Sequence, residues 1–511
     1  MPAAAASTIE PSSFDVVVCG TGLPESVLAA ACAAAGKTVL HVDPNPFYGS
    51  LFSSSVPPLS IPSFLRNSSD SSPPTPSPDT GVVPLQRRSS LYNEEIETSG
   101  TVPEEIKDRF AVDLVGPRLL YCADEAVDLL HREDTAFRTK LSDDPKVQVL
   151  DKFRLGAFIR LVQSHIAANE GEEGGASISE EDLDRPFVEF LKKQKLSPKL
   201  IQIVLYAIAM ADYDQEDAAA AGSSDKLLTT RDGMKTVALH VKSVGRFANA
   251  KGAFIYPMHG HGELPQAFCR YAAVKGALYV LRMPVTALLM DKEKQHYVGA
   301  RLESGQDILC QQLILDWSCK IPSLGFPSDA PDSNSPRKVA RGICITRASV
   351  KQDSPNALVV FPPKSLHEQQ VATLRVLQLS SNVAVCPPGM FIAYISIPCD
   401  DAFTGKLCIN KVTEFLSGSL VSNGSKGHLE TTSEDSENVN PALIWKCVYV
   451  QEITQGTSGP VVSCPMPDEY LDYRNILEST KKLFADIYPN EEFLPRNAAP
   501  QYAAEDSDSA E

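Results

Sequence analysis

The chain has no C-x-x-C pair, no zinc-type cysteine–histidine spacing, no phosphate-binding G-x-x-x-x-G-K loop and no G-x-S-x-G nucleophile elbow. It also has no block of basic residues, and Asp and Glu (64) outnumber Lys and Arg (47) for a net charge of −17. That balance excludes nucleic acid as the expected partner. The longest apolar run, IQIVLYAIAMA (Ile201 to Ala211), is too short to cross a bilayer. The opening MPAAAASTIEPSS lacks the basic and apolar regions of a signal peptide, and the final DSAE carries no prenylation motif. A cytosolic protein that meets membranes only by contact is therefore expected.

What is present is an ordinary globular composition, 43% hydrophobic and 22% charged, over 511 residues, enough for two or three domains. The twelve cysteines are scattered, and Cys19, Cys32 and Cys310 sit in apolar runs as small buried hydrophobes.

The most informative stretch is FDVVVCGTGLPESVLAAA, from Phe14 to Ala31. A hydrophobic strand meets a glycine turn and an alanine-rich helix, and TVLHVD supplies the next strand, so residues 14–43 predict one β-α-β unit of a parallel sheet. Pro24 suits the first turn of the helix and Gly36 its C-terminal stop. A dinucleotide site reads G-x-G-x-x-G followed by an acid on the second strand. Gly20, Gly22 and Asp43 occupy three of those places, but the third glycine is replaced by Glu25. A carboxylate there competes with a diphosphate for the N–H groups of the helix start, although an acid is also a good dipole partner at that position. The expected outcome is a cofactor frame without its cofactor, a flavin-dependent oxidoreductase being the alternative.

The layout that follows is α/β. Residues 14–135 and 223–500 are expected to form a discontinuous sheet domain, with 136–222 inserted as a helical domain. The Ser/Pro-rich 53–100 and the polar 422–441 read as mobile loops, and residues 1–13 and the acidic 501–511 as disordered ends. FIYPMHGHGELPQAFCRYAAVKGALYVLR (Phe254 to Arg282) reads as strand, glycine turn, helix and strand. Its HGHGE offers His259, His261 and Glu263 as metal ligands, but a helix-opening turn accounts for them better, and no metal is expected. Leu196, Leu200, Ile203, Ala207 and Met210 recur at helical spacing and suit either a lipid groove or a core face.

FDVVVCGTGLPES, GKTVLHVDPNPFYGS and FIYPMHGHGELPQAFCRYAAVKGALYVLR, in this order, resemble the family of Rab escort proteins and Rab GDP-dissociation inhibitors. GTGLPES, FVEFLKKQKLSPKL and DIYPNEEFLP are closer to the escort branch than to the recycling inhibitors. The stretch between Leu130 and Phe158 is shorter than in the family. The resemblance implies a flavoprotein-like fold that carries no flavin and no catalytic residues. It implies binding of Rab GTPases, expected in the GDP-bound form, and presentation of them to the catalytic heterodimer of Rab geranylgeranyl transferase. It further implies shielding of the geranylgeranyl lipid and transient membrane contact. Carried over by position, it places the Rab-binding platform at Tyr48, Glu263, Arg270 and Tyr279.

Overall fold

The computed structural model describes residues 8–67, 81–87, 89–98, 106, 109–132, 149–169, 171, 175, 177–216, 227–247, 252–291, 296–320, 337–350, 354–424, 443–453 and 459–495. Two large sheets, two two-stranded ribbons (Gln86–Arg87 with Cys319–Lys320 and Leu120–Tyr121 with Phe254–Ile255) and a helical unit make up the described architecture. Strand Ser13–Cys19 lies inside an eight-stranded mixed sheet, parallel to Val39–Asp43 on one side and to Asp307–Leu315 on the other. Val39–Asp43 is followed outward by the parallel edge strand Leu278–Leu281. Beyond Asp307–Leu315 the antiparallel strands Tyr297–Leu302, Val285–Met290 and Val82–Pro84 complete the path, and Val461–Ser463 joins Asp307–Leu315 in parallel. FDVVVC and VLHVD are apolar because both faces of these strands are covered.

Helix Leu23–Ala34 covers one face, and all but its last residue are buried. It ends where Gly36, at φ +76°, takes the left-handed position. The Gly36 N–H then donates to Ala33 O and the Lys37 N–H to Cys32 O, at 3.1 and 3.0 Å, a Schellman stop. Helices Glu263–Val274 and Arg474–Ile487 pack beside it.

The second sheet has six antiparallel strands in the order Ala357–Phe361, Leu374–Ser380, Phe391–Cys399, Arg337–Thr346, Leu443–Ile453 and Leu91–Thr98. Helix Ala402–Gly424 packs on it. The helical unit has its own core, with Phe158, Val162, Phe187, Leu191, Val204, Leu205, Met234 and Val237 all buried.

Two boundaries differ from the sequence expectation. The helical unit extends past residue 222 to take in helix Thr230–Ser243, whose Met234 and Val237 belong to its core. Within 53–100, Ile61–Asn67 is helical and Leu91–Thr98 forms the edge of the second sheet with only Leu91 buried. An edge strand with one wet face reads in sequence like a polar loop. Of 422–441, residues 422–424 end helix Ala402–Gly424; the rest, like 1–7 and 501–511, lies outside the described residues.

The segment from Phe110 to Arg118 pins these layers together around Asp113, which is 2% exposed. Its carboxylate accepts the Ser54 hydroxyl, the Tyr256 hydroxyl and, at 3.0 Å, the His261 N–H. Its own N–H donates to Tyr394 Oη at 3.0 Å, reaching the second sheet. Nearby, buried Arg118 pairs with Asp468 at 2.7 Å and donates to Asp472 O at 2.9 Å. Asp113→Ala leaves two hydroxyls and one N–H buried without a partner, each worth about 1–3 kcal/mol. Loss of about 3 kcal/mol or more of stability is expected in thermal or urea unfolding, against within about 0.5 kcal/mol for the exposed Ser55→Ala. Equal melting of the two variants would refute this role for Asp113.

Candidate functional site

The site is built at the carboxyl ends of the parallel strands, where an open α/β sheet places its ligands. Gly20 stands at φ +94°, and a Cβ there would lie 2.8 Å from Asp316 Cβ. Gly22 faces the Glu25 carboxylate so closely that a side chain on it would collide. Both glycines are therefore required by the turn, but the space a diphosphate would take is filled from inside the protein.

Asp43 is where a ribose-binding acid belongs, yet its oxygens are fully engaged. Oδ2 accepts the Thr21 N–H and hydroxyl, both at 2.6 Å, and the Ser50 hydroxyl at 3.1 Å. Oδ1 accepts the N–H and the side-chain amide of Asn45, at 2.7 and 2.9 Å. Glu25 is 1% exposed and bends back over the helix start. Burial, then the nearby Asp316 carboxylate, raises its pKa well above the ordinary 4.5, so it is held as the neutral acid. A flavin or nicotinamide diphosphate would displace Glu25, face Asp43 and Asp316, and find no free ribose acceptor. These residues do not fit a dinucleotide. Sequence inspection found Gly20, Gly22, Glu25 and Asp43; it missed Thr21, Ser50, Asn45 and Asp316, which close the site. The T in GTG and the acid ending the strand DILCQQLILD were the available signals.

Beside the closed turn, the edge strand brings Tyr279 opposite His41 in register. Their rings lie 4.7 Å apart, and Tyr48 stands edge-on to Tyr279 at 6.0 Å. Burial pushes His41 down to about 4, so the imidazole is neutral near neutral pH, and its Nε2 hydrogen bonds the Gly20 carbonyl at 2.5 Å. Tyr279 is only half-buried, but its hydroxyl is buried against Cys269, and burial drives its pKa far up. Cys269 in turn contacts the Ser26 hydroxyl at 3.2 Å.

Arg270 follows Cys269 on helix Glu263–Val274 and points outward, exposed and with no ion pair among the described residues. Glu263 sits two turns earlier on the same face, half-buried in the first turn. One turn beyond Arg270, Val274 is 84% exposed, and Leu278 at the start of the edge strand is 40% exposed. Tyr48 and Tyr279 meet through their rings, Arg270 follows the Cys269 that the Tyr279 hydroxyl lies against, and Glu263 stands two turns earlier on that helix. Val274 and Leu278 are exposed apolar residues of the same helix and edge strand; two apolar residues flanking KGA were the sequence signal.

The remaining candidates lie elsewhere. His261 is buried, with Nε2 on Arg118 O at 2.9 Å, and it serves the Asp113 network; His259, at φ +67°, is a turn residue. HGHGE is a structural turn. Leu196 and Leu200 are core residues of the helical unit, whereas Ile203 and Ala207 are half-buried. Past Pro198–Gln202 the backbone widens into a π-helix, Ile203–Ile208, which breaks the α-helical phase. Met210, at φ +59°, packs instead against the core under the first sheet.

Among the described residues no helix is long and apolar enough to cross a membrane. A sequence model of the GDP dissociation inhibitor family matches residues 10–68 and 140–413. The chain is 42% identical to Rab escort protein 1 of Arabidopsis thaliana, with 96% of this chain and 95% of that one covered. It is 24% identical to Rab proteins geranylgeranyltransferase component A 1 of Rattus norvegicus, over 98% and 94% of the two chains. The crystal structure of a Rab GDI from Plasmodium falciparum superposes with a TM-score of 0.60 at 17% identity, covering 94% of this chain and 99% of that one. The chain belongs to the GDP dissociation inhibitor family and is a homologue of the Rab escort proteins.

Proposed function

We propose that this protein binds newly made Rab GTPases, presents them to the catalytic heterodimer of Rab geranylgeranyl transferase and carries the lipid-modified products to membranes. It would serve as the accessory component of that enzyme, with no catalytic residues of its own. The observation that carries this reading is the pairing of a nucleotide turn closed by Glu25 and Asp43 with the platform beside it. There Arg270 is exposed with no ion pair among the described residues, Tyr48 and Tyr279 are fixed by ring contacts, and Val274 adds an exposed apolar side chain. Arg and Tyr are the residue types most often found as interface anchors.

The platform is half rigid and half adaptable. Tyr279 is tied to His41 and Cys269, so truncating it disturbs packing as well as contact. Arg270 is free of such ties and is the cleaner probe. In a reconstituted assay with the transferase, a Rab and geranylgeranyl diphosphate, lipid transfer should occur only when this protein is added. Arg270→Ala should keep its melting temperature, since a surface truncation costs within about 0.5 kcal/mol. It should lose on the order of 2 kcal/mol in Rab affinity, about thirtyfold. Failure of the folded wild type to stimulate transfer, together with efficient extraction of prenylated Rab from membranes, would favour the recycling-inhibitor function. Stimulation untouched by Arg270→Ala would move the platform elsewhere.

The closed turn has two consequences of its own. The purified protein should be colourless, and yellow flavin released in stoichiometric amount on denaturation would overturn this reading of Glu25. The second is a pH effect. Glu25 keeps its proton in the folded chain, and the unfolded chain loses it above about pH 4.5. Its contribution to stability is therefore intact at low pH and declines as pH rises toward the folded pKa, by about 1.4 kcal/mol per unit. Glu25→Gln removes that slope, so its stability relative to wild type should grow as pH rises above about 5, toward the raised folded pKa. A constant difference in urea midpoints across that range would show Glu25 to be ionised in the folded protein.

A further inference from the structure

Under the Gly20 turn lies a set of ligand-type side chains that neither the platform nor the Asp113 network uses. Cys19 ends the first strand, Asp316 follows the last residue of Asp307–Leu315, and Cys319 opens the two-residue strand Cys319–Lys320. Parallel pairing of the first strand with Asp307–Leu315 brings the first two together, since Val18 stands opposite Ile314. All three are buried, at 0%, 5% and 4% exposure. The two sulfurs and a carboxylate oxygen of Asp316 lie within 4.8 Å of one another. Zinc–sulfur bonds of about 2.3 Å in a tetrahedron put two sulfurs about 3.8 Å apart, so small side-chain adjustments would close this triad on an ion.

We propose that Cys19, Cys319 and Asp316 form a binding site for a tetrahedral divalent cation of the zinc class, with its fourth position on the side of Glu25 and Cys464.

Three further observations support it. Asp316 is already oriented, because Oδ1 accepts the Ser318 N–H at 2.8 Å and the Ser318 hydroxyl, as carboxylate ligands are typically held by outer partners. Glu25 Oε1 is buried on the same turn with no hydrogen-bond partner, an orphaned acceptor beside Asp316 and Cys464. The charges also balance. Arg87 lies opposite Cys319 in the Gln86–Arg87 pairing, close to Asp316, and its Nη2 is buried without a partner. With both thiols protonated, Arg87 offsets Asp316. With a divalent ion in place of the two thiol protons, the local net charge is unchanged. A site of two thiolates and one carboxylate prefers zinc-class ions to calcium or magnesium. Zinc motifs are recognised by local spacing, and this triad joins Cys19 to two residues about 300 positions further along the chain.

Cobalt(II) is the probe. The full-length chain, reduced and stripped with chelator, should take up one equivalent, develop a thiolate-to-cobalt charge-transfer absorption, and lose it when one equivalent of zinc is added. Loss of an outer-shell partner costs 10–100-fold in affinity, so Cys19→Ser and Cys319→Ser should each lose more than roughly a hundredfold. Asp316→Asn should weaken uptake but keep the thiolate band. Should the variants fold poorly, the wild type answers alone: zinc should selectively slow alkylation of Cys19 and Cys319, read by mass spectrometry. The proposal is overturned if the reduced protein shows no cobalt band, if the band survives in the Cys19→Ser/Cys319→Ser double variant, or if zinc leaves alkylation unchanged. A Cys19–Cys319 disulfide without metal uptake on reduction would also overturn it.

Discussion

Asp113 carries a carboxylate into the space between the two sheets, where it accepts hydrogen bonds from Ser54, Tyr256 and His261, while its own N–H donates to Tyr394 Oη. A buried carboxylate is tolerable only when its oxygens are saturated, so these contacts form together or not at all. Three of those partners precede the helix that carries Glu263 and Arg270 or lie in the loop after Tyr48. The Gly262 N–H donates to Ser54 Oγ at 3.0 Å, which fixes the start of that helix relative to the Ser50–Phe52 turn. Arg341, equally buried, donates to the carbonyls of Val115, Gly116 and Asp468 at 2.8–3.1 Å and binds the second sheet to the same segment. The proposed platform is thus anchored through its roots rather than across its face.

The same economy explains the nucleotide turn. In a cofactor-binding member of such a fold the ligand's phosphates and ribose satisfy the helix start and the strand-end acid. Here Glu25 and Thr21 supply those contacts from within. The frame survives because the glycines, the helix and the parallel strands are packing requirements, independent of what fills the turn.

What could be read from the sequence was local. The Gly20–Gly22 turn, Pro24, Gly36 and the two apolar strands follow from neighbours in the chain, and so does the departure at Glu25. Tyr48, Glu263, Arg270 and Tyr279 came from resemblance, since no local pattern marks a tyrosine on an edge strand as a contact residue. Asp113 was invisible: FAVDLVG gives no hint that its one acid bonds residues from three distant segments. The limit of the helical unit was missed because TVALHVK shows an amphipathic face without showing which core it meets. Leu91–Thr98 reads as loop in sequence because composition averages over the alternation that makes a strand.

The cost of binding at the proposed platform depends on how much of that surface must be ordered on contact. His41 and Tyr279 bear on this point. His41 is held neutral by burial and bonded to the Gly20 carbonyl, so the ring beneath Tyr279 is fixed by the turn itself. Tyr279 is fixed by His41 and Cys269, and Tyr48 by Tyr279. The chain of contacts runs from Asp43 and Thr21 through the turn to the exposed edge, with every link made inside the protein. Were the turn filled by an exchangeable cofactor, the order of the platform would rise and fall with occupancy. With Glu25 and Asp43 closing it, the two tyrosines are held in one arrangement, and a partner at the proposed platform would have chiefly the exposed guanidinium of Arg270 left to order.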